Sequence, residues 1–229
     1  MEFSLKSISK GQLLLVDKPL KWTSFQAVNK IRWGLKSKYN LKKLKVGHAG
    51  TLDPLASGLL LICTGKMTRK ISEFQALEKT YTGTITLGAT TPSYDLETPI
   101  DKKFQIAHLS EEGLIAATEK FKGNINQFPP LFSALKKEGK RLYKYARAGE
   151  KTEIKSRKVQ IHRFELKRID LPNLVFEVKC SKGTYIRSLA NDFGKSVGSG
   201  GYLSSLRRTK IGSFEVKNAL TPIELIEKL

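Results

Sequence analysis

The chain has 229 residues, and its 41 Lys and Arg against 21 Asp and Glu give a formal net charge of +20 at pH 7. Hydrophobic residues make up 40% of the sequence, which is enough for a packed core and excludes a wholly disordered chain. The longest apolar run, Leu59 to Cys63, is far shorter than the roughly 20 residues of a transmembrane helix. The N-terminus lacks the apolar region of a secretory signal, so we expect a cytoplasmic protein.

The first predicted elements are a strand and a capped helix. Gly11–Val16 is a short apolar run that ends at a polar turn, as buried strands do. Thr23 and Gln26 have the spacing of a capping box, so a helix should begin there. Its inward face is predicted to carry Val28, Ile31 and Leu35.

The middle of the chain is predicted to alternate between loops and strands. Val46–Leu61 is rich in glycine and contains Pro54, which favours a shaped loop over a helix or strand interior. Leu59–Thr64 overlaps its end and is predicted as a buried strand. Thr80–Gly88 alternates threonine with larger or apolar residues, which is typical of a half-exposed strand. Between these strands a short helix is predicted with Ile71, Phe74 and Leu77 on one side.

The C-terminal half adds helices and a hairpin. Ser110 is a predicted N-cap, and Thr221 begins a second capping box with Pro222 at the first helical position. The remaining predicted elements are strands at Val159–Ile169, Leu174–Cys180 and about Lys210–Val216, and a helix from about Tyr185. Strands and helices are intermixed without regular βαβ alternation, which favours an α+β fold with a mixed or largely antiparallel sheet.

The positive charge is concentrated in three segments. Lys30 to Lys45 has seven basic residues, no acid, and interleaved Trp33 and Tyr39; Lys136 to Lys158 has ten basic residues against three Glu. Arg207, Arg208 and Lys210 form a smaller cluster. Basic residues release counterions from phosphates and aromatic rings stack on unpaired bases, so these segments favour an RNA partner over a merely solvated surface.

Asp53 is the candidate chemical group of the glycine-rich segment, because it lies between Leu52 and Pro54 with apolar neighbours. A carboxylate in apolar surroundings needs a partner, although Asp-Pro sequences also use Asp simply to accept backbone hydrogen bonds in a turn. Gly65-Lys66 is followed by Met67, so the P-loop pattern fails, and no dinucleotide-binding fingerprint is present. His48, His108 and His162 form no ligand cluster with the cysteines, so no metal is predicted.

Several motifs in order resemble those of the TruB-type tRNA pseudouridine synthases, which isomerise the T-loop uridine at position 55 of tRNA. The segment GHAGTLDPLASGLL resembles the family's signature, and the match continues in LLLVDKPLKWTSFQAV, EKTYTGTITLG, PPLFSALKKEGKRLYKYARAGE and CSKGTYIRSLANDFG. The resemblance covers nearly the whole chain. It implies the pseudouridine synthase fold, an α+β domain around a central mixed sheet, and an isomerase that needs no cofactor.

The resemblance also assigns roles to individual residues. It implies that Asp53 is catalytic, that Arg187 pairs with its carboxylate, and that His48 fills the space of the flipped nucleotide. Tyr81 would lie against the target base; the other implied uridine contacts are Tyr185 and Leu206. Residues 127–155, called the insertion below, would bind RNA through Lys136, Lys137, Lys140, Arg141, Lys144 and Arg147.

The implied organisation is one catalytic domain over 1–229 that acts as a monomer on the T-arm of tRNA. Many family members continue into a C-terminal PUA-like domain, whereas this chain ends at Leu229, so we expect none here. Two alternatives stay open at this point. One is a related uridine isomerase acting on another structured RNA, and the other is a noncatalytic RNA-binding protein, for which Asp53 would be dispensable.

Overall fold

The computed structural model describes residues 4–150 and 152–229, and they form two compact units. The first unit contains the described chain up to Tyr81 together with Leu206–Leu229, and the second contains Thr82–Ser205. The described helices are α1 Leu5–Lys10, α2 Ser24–Lys38, α3 Ile71–Ala76, α4 Glu111–Glu119, α5 Leu142–Arg147, α6 Ile186–Ser196 and α7 Pro222–Glu227. None of the helices in the described ranges is long and apolar enough to cross a membrane.

The described residues form thirteen strands, most of which belong to one mixed, mostly antiparallel sheet. They are β1 Leu13–Lys18, β2 Val46–His48, β3 Ala56–Thr64, β4 Lys79–Leu87, β5 Ala89–Thr90, β6 Lys102–Lys103, β7 Gly123–Gln127, β8 Lys136–Lys137, β9 Lys140–Arg141, β10 Arg157–Asp170, β11 Asn173–Cys180, β12 Gly201–Ile211 and β13 Phe214–Glu215. The first unit has the strand order β1-β3-β12-β4, in which β12 runs parallel to β3. The second has the order β12-β4-β11-β10-β7, and β5-β6 and β8-β9 form separate pairs. The predicted α+β class is confirmed.

Strand β3 lies in the first unit and is buried on both of its faces. Leu60 and Ile62 pack in a cluster with the inward residues of α2, while Leu59 and Leu61 pack in a second cluster with Ile211. A strand covered on both sides needs apolar residues at successive positions, which explains the unbroken run from Leu59 to Cys63. The predicted inward residues of α2 and α3 take part in these two clusters: Val28, Ile31, Leu35, Ile71, Phe74 and Leu77.

Aromatic residues form much of the core of the second unit. Phe164 of β10 and Phe176 of β11 meet edge to face with ring centroids 6.0 Å apart, and Phe193 of α6 lies 5.6 Å from Phe164. Phe121, which follows α4, completes the group against Phe164 and Phe193. The predicted hairpin is confirmed, since β10 and β11 pair up to Asp170 opposite Asn173.

Two predictions from the sequence are wrong, and both concern the first unit. Lys210–Val216 is not one strand: β12 ends at Ile211, a turn follows at Gly212, and Phe214–Glu215 pairs back on the end of β12. The polar stretch Ser204–Lys210 lies inside β12, and it lacks the apolar alternation that would have revealed a strand. Val46–Leu61 is also not a continuous loop, because β2 and the first part of β3 occupy both of its ends.

Candidate active site

Asp53 lies in a short loop between β2 and β3 whose backbone is fixed on both sides. The side chain of Ser24 accepts a hydrogen bond from the Leu52 amide at 2.9 Å and donates one to the Leu52 carbonyl at 3.1 Å. After Asp53, the Pro54 carbonyl accepts a hydrogen bond from the Lys21 amide at 2.8 Å. Leu52 is buried, and Asp53 itself is half-buried. The N-terminal end of α2 therefore determines where the carboxylate stands.

The carbonyl of Asp53 begins the strand that follows. It accepts a hydrogen bond from the Ala56 amide at 3.1 Å, and Ala56 is the first residue of β3. Ala56 lies opposite Leu206 in the parallel pairing of β3 with β12. The structure thus brings Asp53 and the half-buried Leu206, two of the residues singled out in the sequence, to one end of the same strand pair.

Two buried cations flank β3 next to this loop. Lys18 of β1 and Arg208 of β12 both lie opposite Gly58, and each is almost fully buried. Lys18 donates hydrogen bonds through Nζ to the carbonyls of Pro19 and Trp22 at 2.9 and 2.6 Å. Burial lowers the pKa of Lys18 to about 8, while the charge of Asp53 acts in the opposite direction. The side chains of Lys18 and Asp53 are therefore electrostatically coupled.

Arg208 holds the Asp53 loop to the strand beneath it. Its Nε donates to the carbonyl of Leu59 at 2.7 Å, and its Nη2 donates to the carbonyl of Gly50 at 3.1 Å. The proximity of Arg208 to Gly58 explains why a glycine is required there: an added Cβ would lie 2.3 Å from the carbonyl oxygen of Arg208. The predicted membership of Arg208 in a basic RNA-binding cluster is wrong, because its side chain is buried and bonded to backbone carbonyls.

His48 and Tyr81 lie in the same unit as Asp53. His48 ends β2 and is half-buried; burial and, secondarily, the charge of Arg208 lower the pKa of its imidazole. A lowered pKa keeps the ring neutral at pH 7, which suits stacking on a base. Tyr81 is 8% exposed on β4, next to Thr80, whose carbonyl accepts a hydrogen bond from Thr209 of β12 at 3.2 Å.

Arg187 is buried in the second unit rather than exposed on a helix surface. Its Nη1 donates to the carbonyl of Ser93 at 3.1 Å, its Nη2 donates to the carbonyl of Phe132 at 2.9 Å, and its Nε lies 3.5 Å from the carboxylate of Asp95. These contacts fix the plane of the guanidinium. Asp95 had no sequence signal of its own. The predicted pairing of Arg187 with Asp53 joins residues of different units and stays a prediction.

Tyr185 precedes α6 and is held at its backbone by one side chain. Gln127 at the end of β7 accepts a hydrogen bond from the Tyr185 amide at 2.8 Å and donates one to its carbonyl at 3.1 Å. The guanidinium of Arg157 stands 5.1 Å from the centre of the Tyr185 ring. The two bonds of Gln127 fix the backbone of Tyr185, and Arg157 is in contact with its ring.

The insertion contains two kinds of cation. Lys136, Arg141 and Lys144 are exposed and form no ion pair with any residue in 4–150 or 152–229. Lys140, by contrast, pairs with Glu150 at 2.8 Å and stands over the ring of Tyr145. Three of the six predicted RNA contacts are therefore free to meet phosphates, whereas the others make internal contacts: Lys137 with the carbonyl of Glu153, Lys140 with Glu150, and Arg147 with Glu97.

Comparison with known protein families identifies the chain. Residues 36–186 match the model of the TruB family pseudouridylate synthase N-terminal domain, and this range includes the Asp53 loop, Tyr81 and the whole insertion. The protein belongs to the TruB family of pseudouridylate synthases. The resemblance noted in the sequence is thereby confirmed.

Two relatives of this TruB family protein carry the name tRNA pseudouridine synthase B. The protein from Flavobacterium johnsoniae is 63% identical over 212 residues, which are 92% of this chain and 93% of that one. The protein from Phocaeicola vulgatus is 49% identical over 215 residues, which are 94% of this chain and 92% of that one.

Two solved structures share the fold. One chain of a Cbf5-Nop10-Gar1 complex aligns over 96% of this chain with a TM-score of 0.71 and 29% identity. A chain of an H/ACA RNP bound to a substrate RNA containing 2'-deoxyuridine aligns with a TM-score of 0.68 and 27% identity. This TruB family chain spans about half the length of each of those chains, 54% and 53% respectively.

Proposed function

We propose that this TruB family isomerase is a tRNA pseudouridine synthase that converts the T-loop uridine at position 55 to pseudouridine, with Asp53 as its catalytic carboxylate. The observation that carries the proposal is the fixation of Asp53. Ser24, Lys21 and Arg208 hold its loop by hydrogen bonds to four backbone groups, namely the Leu52 amide and the carbonyls of Leu52, Pro54 and Gly50. The carboxylate is therefore presented by a turn whose backbone is fixed. The names of the relatives from Flavobacterium johnsoniae and Phocaeicola vulgatus support the same reaction.

The reaction needs little besides one carboxylate. The N1–C1′ bond of uridine breaks, the base turns, and C5 bonds to C1′; C5 loses its proton and N1 gains one, so nothing is oxidised or reduced. An ionised Asp53 is suited to this chemistry as a nucleophile at C1′ or as a base that removes a ribose proton. No residues are assigned to a metal or a redox cofactor, and no cluster of three or more ligand side chains occurs in the described ranges.

The residues around Asp53 are proposed to receive the flipped base. A base inside a folded loop must leave its stack, which costs a few kcal/mol. The neutral ring of His48 is suited to fill the vacated place, and Tyr81 to present a flat wall to the uracil, with Leu206 lining the pocket beside Ala56. Arg187, aligned by Asp95 and two carbonyls, would keep Asp53 ionised where water is excluded.

The partner proposed is the T-arm of tRNA, bound in the cytoplasm by a monomer. The exposed cations of the insertion would meet its phosphates, and Tyr185 would contact the substrate near the start of α6. The proposed domain organisation remains that of one catalytic domain with an RNA-binding insertion over residues 127–155.

The decisive experiment measures tritium release from a tRNA transcript labelled at C5 of uridine, because that hydrogen leaves whenever C5 bonds to C1′. Asp53→Asn is nearly isosteric but is neither a nucleophile nor a base, so we expect no release over many turnovers with RNA binding retained. Asp170→Asn removes an exposed carboxylate elsewhere and should leave the rate unchanged. A transcript with cytidine at position 55 serves as the substrate control.

Multiple turnover by Asp53→Asn would remove Asp53 from the chemistry. Release by the wild type from the position-55 cytidine transcript would show that another uridine is the target. No release from any tRNA, together with release from a ribosomal RNA fragment, would replace the tRNA assignment by the other structured RNA.

A further inference from the structure

The solvent face of α2 carries two large aromatic side chains. Phe25 is 63% exposed and Trp33 is 67% exposed, whereas the opposite face of the same helix is packed into the core. At 100° per residue, Phe25, Lys30, Trp33 and Lys36 all fall on the side of the helix away from Ile31. An amphipathic helix normally presents polar residues on its solvent face, so exposed aromatic rings on that face indicate a binding surface.

The charge of this face is not neutralised within the protein. Six lysines lie between Lys30 and Lys45, and none forms an ion pair with a residue in the described part of the chain. The small cluster near the end of β12 behaves differently, because Arg207 pairs with Asp17 and Lys210 pairs with Glu215. The Lys30–Lys45 block is therefore an unshielded positive surface.

Helix α2 is bonded to the Asp53 loop at its N-terminal end and to β2, which leads into that loop, farther along. The N-terminal end of α2 bonds to that loop through Ser24 and Leu52. Farther along, the guanidinium of Arg32 donates to the carbonyl of Val46 at 3.0 Å, and Lys45 directly precedes β2 with its residue His48. A ligand at Asp53 thus has the α2 surface as its immediate continuation within the same unit.

We propose that the exposed face of α2 and the lysines that follow it, from Phe25 to Lys45, form a second RNA-binding surface, on which Trp33 stacks against an unpaired base. This inference rests on the proposed function for the identity of the RNA. The helix is about 22 Å long, enough for several consecutive phosphates, and cations interleaved with an aromatic ring are the combination that binds single-stranded segments. The charge complementarity is specific to a polyanion, since the block contains no acid at all.

The chain allows a direct spectroscopic test because it has two tryptophans, Trp22 and Trp33. Trp22 is partly buried against the core cluster, so Trp22→Phe leaves Trp33 as the reporter at the surface. We expect the fluorescence of this variant to be quenched on titration with a T-arm RNA. Trp33→Ala in the otherwise natural chain should weaken binding about tenfold, the effect of losing one stacked base, with an unchanged circular dichroism spectrum.

A second set of variants, in which lysines are replaced, separates phosphate contacts from base stacking. Replacing Lys38, Lys42 and Lys43 by Gln should lower the slope of log Kd against log salt by about 2 to 2.7, since each phosphate contact contributes about 0.7 to 0.9. Replacing Lys102, Lys103 and Lys120, which are exposed lysines of the second unit without an ion pair in the described ranges, removes the same charge and should leave the slope unchanged.

The outcomes distinguish this inference from the proposed function. Unchanged affinity and unquenched Trp33, in a protein that still releases tritium from tRNA, would overturn the α2 surface and leave the proposed function standing. Weaker binding of the variants in a protein without isomerase activity would support the surface and remove the proposed function. A Trp33 signal that changes with protein concentration in the absence of RNA would assign the face to a second copy of the chain and overturn the inference.

Discussion

The buried cations beside Asp53 and the exposed cations of the insertion carry the same charge but have different roles. Lys18 and Arg208 are almost fully buried and donate hydrogen bonds to backbone carbonyls of the first unit. Lys136 and Lys144 are exposed in the second unit and meet no acid in the described ranges. The net charge of +20 is therefore a mixture, and burial rather than charge distinguishes the residues that build the site from those available to RNA.

The largest effect is expected from removing Arg208. Arg208→Met would leave the carbonyls of Leu59 and Gly50 without their donors in the interior, and we expect the free energy of unfolding to fall by about 3 kcal/mol. Urea denaturation measures this loss. Arg207 is the residue next to Arg208, and Arg207→Gln breaks its partly exposed ion pair with Asp17. This variant should lower the free energy of unfolding by less than about 1 kcal/mol. Equal losses for the two variants would contradict the distinction between buried and exposed cations.

The insertion should respond in affinity rather than in stability. Replacing Lys136, Arg141 and Lys144 by Gln removes three exposed charges, so the salt slope of log Kd should fall by about 2 to 2.7 while the rate on saturating RNA stays nearly constant. The unfolding curve should not move. As a matched variant, Lys140→Gln removes a cation already paired with Glu150 and should change the slope by less than any one of the three. An unaltered slope for the triple variant would rule out the insertion as an RNA clamp.

The smallest effect is a pH dependence that comes from Lys18. Its pKa in the folded protein is about 8, below the ordinary value of 10.5, so between these values the unfolded chain binds more protons and stability rises with pH. The contribution is complete above pH 10.5 and is lost as the pH falls through 8. Relative to Lys18→Met, the natural chain should gain about 1 kcal/mol between pH 7 and pH 9 in urea unfolding. Parallel curves for the two proteins would show that Lys18 keeps its ordinary pKa.

Much of the fold was accessible from local patterns. Thr23 with Gln26 and Thr221 with Glu224 form the predicted capping boxes, and the apolar periodicity of α2 and the alternation of β11 report their buried faces. Each of these signals is read within one turn or one strand, where nearby residues alone determine the structure. The family resemblance added the order of motifs, which is why the fold and the family were both predicted correctly.

What the sequence did not reveal depends on contacts between distant residues. Arg208 lies in a polar stretch that resembles a surface cluster, and its burial follows from the pairing of β12 with β3, about 150 positions earlier in the chain. Lys18 likewise follows the apolar run Gly11–Val16 as a polar residue, and its burial comes from its pairing opposite Gly58 of β3. Asp95 aligns Arg187 from 92 positions earlier in the chain, and no pattern in the sequence links the two.

Gly58 lies between both buried cations, opposite Lys18 on one side and Arg208 on the other, with a positive φ of 106°. Every missense change in its codon adds at least a Cβ, and that atom would meet the backbone of Arg208 rather than a movable side chain. No substitution at this position is conservative. A saturation library of this chain should therefore show, at codon 58, a column in which even alanine is depleted, within a strand whose leucines tolerate exchange for isoleucine or methionine.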